Sequence, residues 1–168
     1  RNGVVHGVET VSIEAVSDAE ASADVTALSA GLLSGSYNSA RVTIDPTVST
    51  TVDDDASIGA SGLVSISSAS YVAADADVTG VNVGAATAGM STAATTLASV
   101  VDTTVGGGIA AGELRISATH ATLAGSAHAA EATASGSAGS LFVGVDATRS
   151  TNVNSGTVST DIADGAQL

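Results

Sequence analysis

One stretch of this chain occurs three times. Residues 11–27, VSIEAVSDAEASADVTA, return without a gap at 64–80 as VSISSASYVAADADVTG, so that Ile66 follows Ile13 and Val78 follows Val25 by 53 residues each. A more diverged copy, LRISATHATLAGSAHA, opens at Leu114 and puts Ile116 in the place of Ile66, 50 residues further on. A self-similar period near fifty residues marks a chain of units that cannot bury their hydrophobic faces alone and must stack on their neighbours. A repeat array is therefore the first expectation for residues 1–168.

Inside the first copy, Val11, Ile13, Ala15, Ala19, Ala21, Ala23 and Val25 take the odd positions, while Ser12, Glu14, Asp18, Glu20, Ser22, Asp24 and Thr26 take even ones. Alternation with period two predicts a long strand with one dry and one wet face. Ala has the highest helix propensity, so an Ala-rich helix is the rival. The period itself, the interleaved Ser, Thr, Val and Asp, and the lack of Lys favour the strand. The second copy keeps the pattern on Ile66, Ser68, Ser70, Val72, Ala74, Ala76 and Val78. His120, Thr122 and His128 interrupt the third and leave its register open.

A glycine-punctuated crossing follows each copy: AGLLSG from Ala30, VGAATAG from Val83, AGSLFVG from Ala138. Such glycines suggest bends or places where another backbone approaches closely. Thr-rich, β-branched second halves begin at Asn38, Ser91 and Asp146, with Arg41 and Arg149 at what read as equivalent points. Pro46, which cannot donate to a ladder, belongs at a bend or an edge. Each unit closes on a turn and one aliphatic residue, DDDASI at Ile58, VGGGI at Ile109 and DGAQL at Leu168, and RNGVV ending at Val5 fits the same slot. The units therefore run 5–58, 58–109 and 109–168, with steps of 53, 51 and 59 residues.

Composition decides what can hold such units together. Hydrophobic residues make up 44% of the chain but aromatics only 2%, with no Trp, so a core of large side chains cannot be assembled. Backbone hydrogen bonding and close stacking of small residues must carry the stability. The net charge is −13, with four basic residues, all Arg. A basic surface for nucleic acid or for an anionic membrane is excluded on that count. There is no Cys for disulfides or thiolate metal sites, and no apolar run long enough for a membrane-spanning helix. The lack of an initiator Met and of a signal-peptide pattern at Arg1 reads as a mature product or an excised segment.

Chemistry-bearing motifs are sparse. Asp53, Asp54 and Asp55 supply hard oxygen ligands that could hold Ca²⁺ at a turn. A solvated charged turn explains them as well, because the equivalent turn, Gly106 to Gly108, carries no carboxylate. Asp75 and Asp77 share a strand face with Asp24 at the place of Asp77, as a wet face that deters aggregation would. His120 and His128, eight residues apart, cannot share a metal within one strand. No nucleophile elbow and no phosphate-binding glycine loop is present, and no catalytic residue or cofactor is expected.

GLVSISSAS at Gly62, GELRISATH at Gly112 and VETVSIEAVS at Val8, with the turns DDASIGASG and VGGGIAAGE, resemble the repeats of giant secreted bacterial filamentous adhesins, the haemagglutinin-like exoproteins. The resemblance covers almost the whole chain. It implies an all-β β-solenoid or related stacked-strand fold, secretion to the cell surface, and a part in attachment or surface structures. The expected function is thus a non-catalytic segment of an extracellular filament or adhesin stalk. Its partner is itself, joined head to tail because RNGVV and DGAQL lie at the same phase. An ice-binding or carbohydrate-binding solenoid is the alternative; Thr43, Thr47, Thr50, Thr51, Thr95, Thr96, Thr103 and Thr104 suggest it, but no regular T-x-T ladder recurs in every unit. If each unit makes one layer, Ile13, Ile66 and Ile116 will stack, as will Val25 and Val78; if each folds as its own sandwich, they will lie far apart.

Overall fold

The computed structural model describes residues 3–164 and 166–168; Arg1 and Asn2 of RNGVV and Gly165 of DGAQL lie outside the described residues. Among the described residues 82% are strand and none is helix. The alternation explains why Ala did not win. Period two hides one face of a strand, whereas on a helix it would scatter apolar residues around the whole cylinder.

Ten strands follow one another: β1 (Val4–Val8), β2 (Val11–Ile44), β3 (Thr47–Val52), β4 (Ser57–Ala60), β5 (Leu63–Leu97), β6 (Val100–Val105), β7 (Gly108–Ala110), β8 (Glu113–Thr122), β9 (Ala130–Asn154) and β10 (Thr157–Ile162). They form three parallel sheets: a long one of β2, β5 and β8 with β9, a second of β3, β6 and β10, and a third of β1, β4 and β7. The chain visits the long, second and third sheets in turn, then comes back to each one repeat later. Every repeat contributes one layer. Ile13, Ile66 and Ile116 stand side by side, as do Val25 and Val78, and Val5, Ile58 and Ile109. Separate sandwiches are thereby ruled out.

The glycine-punctuated segments do not separate two strands, as the sequence led us to expect. β2 and β5 stay in one register from Val11 beside Val64 to Ile44 beside Leu97. Both strands nevertheless double back. Ala93 and Leu97, late in β5, share a buried cluster with Val72, Ala74, Ala76 and Val78 from its early part and with Ala40, Val42 and Ile44 of β2. A strand whose hydrogen bonds all run to the layers above and below can turn sharply without losing them. The two arms then face each other across a thin apolar layer of Val and Ala.

A second cluster, Val52, Ile58, Val64, Ile66, Val105 and Ile109, fills the corner where the three sheets meet. Buried hydroxyls lie beside it. Ser68 Oγ donates to Asp102 O at 2.6 Å, and Thr50 Oγ1 and Thr103 Oγ1 lie 2.9 and 3.0 Å from Ser68 Oγ. Thr50 and Thr103 also donate to the carbonyls of Ser67 and Ser117, so this network is well satisfied. Pro46 falls in the break between β2 and β3, where its carbonyl accepts from Val100 N at 2.9 Å.

The third layer departs from the other two in three places. β8 pairs with β5 up to Val72 beside Thr122, and pairing resumes at Ala74 beside Ala130 after the loop 123–129. An irregularity at Leu141 and Phe142 adds one residue, and the closing turn before Gln167 adds two more. Arg41 and Arg149 are consequently not equivalent: Arg41 pairs with Ala94, Arg149 with Thr92.

Candidate functional site

Asp53, Asp54 and Asp55 occupy the turn between β3 and β4, all three solvent-exposed. Asp53 O accepts from Ala56 N at 3.0 Å, and the Asp54 carboxylate lies over Gly106 in the layer below. The triple glycine of the second turn therefore has a packing origin: a side chain on Gly107 would meet Ala56 O and Asp53 O at 2.5 and 2.7 Å. Among the described residues no three His, Cys, Asp or Glu side chains converge as a metal site. His120 sits on β8 with both ring nitrogens buried and unpartnered. His128, in the loop 123–129, instead pairs with Glu131 at 3.0 Å.

The threonines divide rather than form a face. Thr50, Thr95 and Thr103 point inward and are at most 6% exposed, whereas Thr43, Thr47 and Thr51 face solvent. Outward acids stack on one another between layers, Asp24 beside Asp77 and Asp75 beside Glu131. Such a column of like charges is repulsive and screened by salt.

Two surfaces stand out. The first is the open edge of the third layer. In the second sheet Val48, Val101 and Val158 share a column, as do Val52, Val105 and Ile162. Val101 and Val105 are 0% exposed, but Val158 and Ile162 are each 48% exposed. These two have the side-chain chemistry of a core position and only half its cover.

The second surface is the outside of the bend. Leu32 and Leu33 of the first layer and Leu141 and Phe142 of the third are more than four-fifths exposed, and Ala86 of the middle layer stands between Leu33 and the exposed Val143. Residues 27–40 and the stretch 80–93 paired with them hold no charged side chain in a chain of net charge −13, and the matching stretch of the third layer, 136–150, holds Asp146 and Arg149. The interior here is the reverse. Asn38, Asn82, Thr87 and Ser91 point inward, each at most 7% exposed. At a tight corner the inner side has no room for a large side chain, so the bulky residues turn out and the small polar ones turn in.

Sequence reasoning expected an open edge, from the shared phase of RNGVV and DGAQL, without naming Val158 and Ile162, and it did not find the apolar outside of the bend. The edge was implicit in the repeat, since Val158 and Ile162 fall in the columns of Val101 and Val105 once the insertions of the third layer are allowed for. The bend had a visible signal, the uncharged stretch bearing Leu-Leu and the run Leu-Phe-Val. A comparison of the chain with protein-family models, with curated proteins and with solved structures finds no match.

Proposed function

We propose that this chain is a non-catalytic structural segment of an extracellular filament or adhesin stalk, built as a β-solenoid in which one repeat makes one coil. The observation that carries the reading is the half-exposed pair Val158 and Ile162, whose in-register counterparts Val101 and Val105 are buried. A further coil laid on β9 and β10 would cover both and satisfy the edge of each strand. The opposite edge, along β1 and β2, offers the parallel partner: Val4, Val5 and Val8 are exposed there. A contact between two different edges of the same unit is heterologous and propagates rather than closing. The added coil belongs either to a second copy or to the same longer polypeptide. The likeness of GLVSISSAS and GELRISATH to filamentous exoprotein repeats supports secretion and attachment, and the acidic surface keeps neighbouring fibres apart.

Light scattering after size-exclusion chromatography, over a wide concentration range and with electron microscopy of the same samples, tests the assembly. Mass that grows with concentration and thin fibres are expected for separate subunits, and Val158→Asp with Ile162→Asp should abolish both. A constant mass of 15.9 kDa at the highest concentration excludes the separate-subunit form.

A further inference from the structure

The inside of the bend holds a charge with no partner. Asp146 begins the returning arm of the third layer, and both its carboxylate oxygens are shielded from solvent and make no hydrogen bond. Asn82, 1% exposed, has neither its amide nitrogen nor its amide oxygen paired; Ser91, also 1% exposed, has an unpaired hydroxyl. Asp146 and Asn82 lie together against Gly89, and Ser91 lies against Gly80, whose neighbour in the third layer, Gly136, lies against Asp146. A Cβ on Gly89 would lie 2.9 Å from Asp146 Oδ1 and against Asn82 Nδ2. A Cβ on Gly136 would lie 2.6 Å from both Asp146 oxygens, and one on Gly80, which pairs with Gly136, 2.6 Å from Ser91 Oγ. Arg149, the nearest basic residue in sequence, is solvent-exposed.

A carboxylate withdrawn from water without donors is costly, and the same holds for a buried amide with both ends free. The sum of these penalties falls if one small cation sits among the oxygens. We propose that Asp146, Asn82 and Ser91 form a binding site for a hard cation of the calcium class, inside the bend and independent of assembly. The donors are a carboxylate, an amide oxygen and a hydroxyl, since the amide can present either atom. There is no sulfur and no imidazole, which suits Ca²⁺ rather than a transition metal. With a single negative charge, affinity falls in the weak class, with Kd about 10⁻⁴–10⁻³ M.

The test is calorimetric titration of the chelator-treated chain with CaCl₂, paired with thermal melts and with NaCl of matched ionic strength as control. One site is expected, with a higher melting temperature in Ca²⁺ than in the NaCl control. Asp146→Asn should weaken binding by about tenfold or more, since even outer partners of a metal account for that much. In chelator the same variant should melt above the parent chain, because the uncompensated charge is gone; that gain also shows that it folds. Asn82→Ala should bind more weakly, and Asp53→Asn/Asp54→Asn/Asp55→Asn should bind as the parent does. Absence of heat and of any melting shift in the parent chain, as when water alone fills the space, overturns the proposal. So does undiminished binding by Asp146→Asn.

Discussion

Two neighbouring stretches of the long strand β5 solve the same packing problem in opposite ways. Around Val72 to Val78 the inward residues are Val and Ala, buried against the returning arm, and the outward ones carry the acids. A few residues later, at the bend, Asn82 and Ser91 face inward while the Leu and Phe side chains of neighbouring layers face outward. Toward β2 both regions share one ladder and the same register. Backbone pairing therefore fixes where each residue stacks, and the curvature of the strand decides what kind of side chain the inside can hold.

The sharpest way to break this comparison is to place one charge in the apolar arm. Val78→Asp puts an unpaired carboxylate between Val25 and Ala134 at a position 0% exposed, and a loss of about 3–5 kcal/mol, enough to unfold a marginal array, is expected in urea melts. Tolerance of that change would mean the arms are not packed. Next comes Gly80→Val, where the new side chain meets Ser91 Oγ and Asn38 Nδ2 at 2.6 and 2.7 Å; overpacking should cost about 1–3 kcal/mol in the same measurement. A neutral result would show that the bend opens easily. Smallest is Asn82→Val in chelator. Exchanging an unpaired buried amide for an apolar group of similar size should leave stability unchanged or raise it by about 1 kcal/mol. A loss of several kcal/mol would assign the amide hydrogen bonds that it does not make here.

What the sequence revealed depended on whether the repeat was gap-free. Ile13, Ile66 and Val25, Val78 could be matched by counting, and period two gave the strand and its dry face. Ile116 remained in step because the first insertion comes after it. Arg149 did not, since the loop 123–129 and the extra residue near Leu141 intervene, and counting cannot say where added residues are absorbed. The glycines marked the bend, but the facing of its side chains was missed for a different reason. Along β2 the half-buried positions are odd as far as Ser29 and even from Ser34, with Leu32 and Leu33 both outward, so the alternation slips phase at the corner. No local pattern announces that slip, and a polar interior reads as a wet face until the strand is known to curl.

The loop 123–129 shows how such an architecture handles changes in length. Seven residues stand opposite the single Ala73, yet Leu123 N still donates to Val72 O and Ala74 N to Ala129 O, both at 2.9 Å, on either side of the excursion. Gly125, at φ +91°, lets the excursion turn within Leu123 to Ser126. The disturbance ends where it began, so the neighbouring strand β5 bears none of it. A foreign peptide inserted at this point would be displayed beside the stack while the ladder on both sides kept its pairing, which makes the loop a natural graft position and a place where related chains can diverge in length at little structural cost.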